Sequence, residues 1–395
     1  MFNRPERTKN TMTSKPLDME DVSTREQLGQ PQELLEGFFT KLVAHPHLVA
    51  AHEQMLSLMR SGSGISLALL VGPSGGGKTT LLRRVQNNIL KQYTPQMLLD
   101  SSLLPVVFIT APAPERGVYD WADSHIRTLE AMHDPQIPRK ELHTEAGPAQ
   151  TVGWSKVGTN TAGLRRLVER GFRGRNVRYY IIDEVQHVTK TGSGRKIKDH
   201  MDSLKFIAED TGVTIILGGT YEALDCTELS AQLARRGATA HLRRYHLDIE
   251  DEVRAFRVAL NTLLTALPIP VADKVASDWI FFYKKCLGCI GILKQLLTRA
   301  LARAVEMKRS AISRLILEES AHCPSALVQM AVEIKEGEDR WARSQEGDAE
   351  LERLLGITLI EPTATSDAAI LPKPPEQRRA VGIRNPTRDP VGVPV

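Results

Sequence analysis

The stretch "VGPSGGGKTT", residues 71–80, follows the apolar run "ISLALL" and precedes "LLRRVQNNILKQY". That order constrains the fold more than any other feature of the chain. It completes the phosphate-loop pattern G-x-x-x-x-G-K-[ST], which sits between a buried strand and a helix N-terminus. Gly72, Gly75 and Gly77 let the backbone close around phosphate oxygens, and Pro73, Ser74, Gly76 and Thr80 complete the loop. Lys78 is expected to reach the β- and γ-phosphates, and the Thr79 hydroxyl to ligate Mg²⁺. The chain is therefore expected to bind a nucleoside triphosphate.

Short apolar runs continue downstream: "LPVVFITAPA", "VRYYIIDEV" (177–185), "VTIILGGT" (213–220) and "HLRRYHL" (241–247), each read as a strand. Between them lie helical patterns such as "GLRRLVERGFRG". Continuous apolar strands alternating with helices belong to a parallel sheet covered on both faces. After about Leu247 no strong strand pattern remains, and "IEDEVRAFRVALNTLLTAL" and "IGILKQLLTRALARAVEMK" read as helices. The expected organisation is a flexible tail over 1–30, a nucleotide-binding α/β domain over 31–247, a helical lid and further helices over 248–360, and a disordered Pro/Arg-rich tail over 361–395. Residues 111–162 carry little recognisable pattern.

"YYIIDEV" supplies the second half of the site. Asp183, ending an apolar strand, is placed to hold the Mg²⁺ shell, and Glu184 to activate the attacking water. Thr220, at the polar end of the fourth strand, becomes a γ-phosphate sensor if that strand lies between the other two. "TKTGSGRKIKD" (189–199) reads as a flexible basic loop, and its Lys190, Arg195, Lys196 and Lys198 suit phosphate contact without base reading.

Composition narrows the class. The 395 residues carry a net charge of +4, too mild by itself to name a partner, and aromatics make up 5%, against a stacking-based single-strand binder. No apolar run approaches 18 residues, so no membrane span is expected. The polar N-terminus shows no secretory h-region, and four cysteines form no disulfide framework; a cytoplasmic protein is expected. Cys286 and Cys289 form a CxxC without a second spaced ligand pair, and read as structural thiols in an apolar helix.

Several segments together resemble the TniB/TnsC family of AAA+ ATPases that regulate transposition. They are "AHPHLVAAHEQML", "IIDEVQHV", "SLKFIAEDTGVTIILGGTYEAL", "QLARRGATAHLRRYHL" and, less strictly, "GCIGILKQLLTRAL". The resemblance spans roughly residues 35 to 320. It implies an AAA+ P-loop domain with a five-stranded parallel sheet and a helical lid, using ATP and Mg²⁺. It also implies homo-oligomers, as rings or filaments, on double-stranded DNA, with a DDE-type transposase and a TniQ/TnsD-like target selector as partners. In this architecture Arg235 or Arg236 reaches into the neighbouring subunit's ATP. Lys294, with Arg299 as the alternative, stands at the second-sensor position, where relatives often carry arginine. A helicase loader or replication initiator shares the fold, but the initiator's C-terminal winged helix is not read here. A STAND-like nucleotide switch would carry a long repeat domain after the lid, and none is read.

Overall fold

The computed structural model describes residues 31–60, 64–115, 117–133, 141–142, 150–151, 161–190, 194–228, 237–346 and 348–355. The chain begins with helices α1 (Pro31–Phe39) and α2 (Pro46–Leu58), then β1 (Leu67–Val71), α3 (Lys78–Leu99), β2 (Val106–Thr110) and α4 (Trp121–Ala131). A two-stranded antiparallel hairpin, β3 (Glu141–Leu142) and β4 (Gln150–Thr151), follows. Next come α5 (Thr161–Gly174), β5 (Tyr179–Asp183), α6 (Gly194–Thr211), β6 (Thr214–Gly219) and β7 (Gly237–His241). Helices α7 (Glu250–Thr265), α8 (Trp279–Cys286), α9 (Ile290–Glu306), α10 (Arg314–Ser320) and α11 (Pro324–Gln345) complete the first compact unit, Met1–Gln345. Helix α12 (Asp348–Leu355) belongs to a separate unit.

Five strands form one all-parallel sheet in the order β2-β5-β6-β1-β7. Its central strands are apolar on both faces because both are covered. Leu67, Leu69 and Val71 of β1 enter one core with Tyr180, Ile182, Ile215 and Leu217. Ala68 and Leu70 enter the opposite core with Ile181, Ile216 and, from α3, Leu81, Leu82, Val85 and Ile89. This is the two-residue alternation of a strand used twice. Each buried Leu, Ile or Val among them contributes about 1.5–3 kcal/mol. The consequence for function is positional. With β6 between β1 and β5, the C-terminal ends of three adjacent strands converge on the loop that follows β1.

A third core belongs to the helices after the sheet: Phe256, Leu260 and Leu263 of α7, Phe282 of α8, Leu293, Leu297 and Leu301 of α9, and Leu317 of α10. Phe38 of α1 joins it, so α1 packs with these helices. Cys286 and Cys289 lie buried in the same core, where burial pushes both thiols up, Cys289 to about 12. Among the described residues no helix is long and apolar enough to cross a membrane, and no group of three or more His, Cys, Asp or Glu side chains is arranged to hold a metal.

Two local readings need correction. The fifth strand is "GATAH", not "HLRRYHL": Gly237 to His241 pair in register with Leu67 to Val71. The small residues lie alongside β1, whereas Arg243, Arg244 and His246 turn to the carboxylates of Glu252 and Glu338. The basic segment after β5 is also not a loop to its end, because α6 starts at Gly194. Ile197, Met201, Leu204, Ile207 and Ala208 give α6 a buried face that draws the end of the basic segment into the helix.

Candidate nucleotide-binding site

The loop after β1 is held in its cradle shape by backbone conformation. Gly75 and Gly77 have φ of +69° and +104°, and Gly77 caps α3 from the left-handed region. The first-turn N–H groups of α3 thus face the space where phosphate oxygens would lie. Lys78 is buried at 6% exposure, and its Nζ donates to the carbonyls of Gly72 (3.1 Å) and Pro73 (2.8 Å). Burial lowers its pKa, while the carboxylates of Glu184 and Asp183 act in the opposite direction.

Thr79 Oγ1 donates to Asp183 Oδ2 at 2.6 Å, which brings hydroxyl and carboxylate oxygens together. These are hard oxygen donors of the kind that suits Mg²⁺. Asp183 is buried at the end of β5; desolvation raises its pKa, opposed by the Thr79 hydrogen bond. Glu184 has φ of +58°, an uncommon conformation for a residue with a Cβ, and its N–H donates to Asp183 Oδ1 at 3.0 Å. Thr220 directly follows β6, and its Oγ1 is buried with no hydrogen-bond partner among the described residues. An orphaned buried hydroxyl at this point fits a site that receives a polar ligand.

Gln186 was not legible as a site residue. Its side chain bridges two of the groups above: Nε2 donates to Glu184 Oε2, and Oε1 accepts from the Thr220 N–H at 3.2 Å. The nearest sequence signal is a polar residue in the "DEVQ" run that is then buried to 5% exposure.

A cavity of about 500 Å³ opens beside these residues, lined by Pro73, Ser74, Gln186, Thr220 and, from α11, Glu333 and Gly337. Helix α11 is held there by Glu338, which accepts from Arg244 Nε (2.8 Å) and Nη2 (2.9 Å), and by Trp341 against the His241 ring. Burial tends to raise Glu338, but the bonds from His246 and Arg244 prevail and hold it at about 2. The start of α9 closes the site from the other side. A Cβ at Gly291 would lie 2.2 Å from the Gly75 carbonyl oxygen. Gly291→Ala must therefore push α9 off the loop, at about 1–3 kcal/mol for overpacking. We expect a lower melting temperature together with weaker nucleotide binding in a fluorescent-nucleotide titration. Unchanged values of both would contradict the contact.

Lys294, the second-sensor candidate, lies on α9. Its Nζ donates to the carbonyls of Phe39 and Lys41, both at 2.6 Å, so it caps the end of α1. The four unpaired carbonyls of a helix end are a strong acceptor set for a nearby ammonium. Arg299 is exposed and lies near His322. Arg235 and Arg236 lie outside the described residues. Lys190 pairs with Glu222 at 3.4 Å, both exposed, and Lys198 is exposed on α6. Arg195 and Lys196 fall in the first turn of α6.

A family profile described as AAA domain matches residues 61–227. With the five parallel strands and the helices that follow, the chain has the AAA+ P-loop fold, and at family level an AAA domain is a nucleotide-hydrolysing module. No curated protein matches the chain. Among solved structures, the Aeropyrum pernix ORC2 protein in its ADP form is 15% identical, covering 72% of this chain and 71% of that one, with a TM-score of 0.49. Domain III of the Thermotoga maritima replication initiation protein DnaA is 15% identical over 74% of this chain and 99% of that one, with a TM-score of 0.43. Drosophila ORC bound to DNA is 11% identical over 80% and 69%, with a TM-score of 0.38.

Proposed function

We propose that this chain is an ATP-hydrolysing AAA+ regulator of DNA transposition. In this reading it assembles with copies of itself, as a ring or filament, on double-stranded DNA. There it links a TniQ/TnsD-like target selector to a DDE-type transposase. The observation that carries the enzymatic part is the convergence of Lys78, Thr79, Asp183, Glu184 and Thr220 at the ends of β1, β5 and β6. The transposition part rests on the family resemblance of the segments quoted above.

The residues divide the work. Loop N–H groups and Lys78 hold the β- and γ-phosphates, and Thr79 and Asp183 supply oxygens to Mg²⁺. Bound there, Mg²⁺ would neutralise charge developing on the phosphate oxygens. Glu184 accepts a proton from the water that attacks the γ-phosphorus, as the bond to the ADP oxygen breaks. The Thr220 hydroxyl has a hydrogen bond to give at the γ-phosphate end. Arg235 or Arg236 of a neighbouring copy supplies a trans-acting cation.

Lys190, Arg195, Lys196 and Lys198 form the proposed DNA surface. Lys190 leaves Glu222 at little cost, since an exposed pair is worth about 0–1 kcal/mol. Changing all four to Ala should weaken binding on any duplex sequence and flatten the salt dependence by about one unit per lost phosphate contact. Fluorescence anisotropy at several salt concentrations reads both. Wild-type affinity and slope in the quadruple variant would move the DNA surface elsewhere. A helicase loader of the same fold shares the ATP chemistry. The readings separate on whether the chain stimulates strand transfer by a transposase.

A further inference from the structure

We propose that Gln186 is a positioning residue for hydrolysis, tying the Glu184 carboxylate to the Thr220 end of β6. The proposal rests on the ATPase reading above and adds a residue that the sequence motifs do not assign. Four observations carry it. The Gln186 amide is almost fully buried, at 5% exposure, so its orientation is set by partners and not by solvent. Its N–H donates to one carboxylate oxygen of Glu184, which leaves the other oxygen for the attacking water. Its carbonyl accepts from the Thr220 N–H at 3.2 Å, one atom group away from the unpartnered Thr220 hydroxyl. Finally, β6 ends in Gly219, where a Cβ would sit 2.9 Å from Gln186 Oε1, so the close approach of amide and strand depends on the missing side chain.

The bridge has a physical purpose. Glu184 leaves β5 with φ of +58°, and a glutamate with several free torsions needs a second restraint to hold its carboxylate. Gln186 supplies it, and anchors it to the strand that carries the hydroxyl at the γ-phosphate end. A shift of Thr220 when phosphate arrives or leaves is thereby passed to the catalytic carboxylate through two hydrogen bonds. Hydrolysis becomes sensitive to what occupies the γ-phosphate position without any movement of the loop.

The test is steady-state ATP turnover by the full chain, with nucleotide affinity and melting temperature measured alongside. Gln186→Leu removes both hydrogen bonds at nearly constant volume. It should lower kcat about tenfold to a hundredfold, the scale set by misplacing a catalytic group. KM should stay within about threefold of wild type, because the binding groups are untouched. Gln186→Glu keeps the acceptor for Thr220 but loses the donor to Glu184, so it should lose kcat to a similar degree while retaining the fold. In a Glu184→Gln background, Gln186→Leu should add no further loss, since the two act as one unit. Wild-type kcat in Gln186→Leu or Gln186→Glu, or a full additional loss in the Glu184→Gln background, overturns the proposal. Absence of turnover in the wild-type protein instead overturns the ATPase reading beneath it.

Discussion

Lys78→Ala is expected to remove nucleotide binding at working concentrations. Lys78 is buried beside the loop carbonyls and the two carboxylates, and it is the cation that would meet the β- and γ-phosphates. Charge-assisted hydrogen bonds of this kind are worth about 1.5–3 kcal/mol each, so losing two weakens binding by about a hundredfold or more. Isothermal titration with ATP reads this directly. The fold should survive, because Thr79 and Asp183 still bond and the β1 and α3 cores are untouched. A folded variant with wild-type affinity would remove Lys78 from the site.

Glu184→Gln should do the opposite to binding and nearly the same to turnover. The amide keeps the shape of the side chain but accepts no proton from water, and general-base catalysis contributes about 10²–10⁴-fold. Lys78, Thr79 and Asp183 remain, so ATP should bind with near wild-type affinity and persist. Single-turnover measurements with labelled ATP separate binding from chemistry. A variant with unchanged turnover would transfer the base role to another group.

The parts of this site that could be read from the chain are those encoded locally. The loop and the "IIDE" strand end each carry their chemistry within about ten consecutive residues, and a buried strand next to a Gly-rich turn leaves few alternatives. Thr220 needed one topological assumption, that β6 lies between β1 and β5, and the sheet order meets it. Non-local features were not legible. Gln186 gains its second partner only because Thr220, 34 positions later, follows the adjacent strand. Glu338 meets Arg244 across 94 positions, and Lys294 finds the end of α1 across more than 250. The fifth strand lies four residues earlier than "HLRRYHL", at Gly237–His241. Leu242 still bonds to Val71, whereas Tyr245 already bonds to Gly288 beside the helical core. In residues 111–162, α4 keeps an Asp120 N-cap and a buried face, a signal diluted by its polar neighbours.

We propose that ATP occupancy of this site controls assembly on DNA. Electron microscopy of the protein with duplex DNA, in ATP, in a slowly hydrolysed analogue and in ADP, tests it most directly. The account predicts multi-subunit rings or filaments on DNA with ATP and the analogue, more persistent with the analogue, dispersed in ADP and absent for Lys78→Ala. The same DNA-bound species in all three nucleotides, or assemblies that form equally with Lys78→Ala, would contradict it.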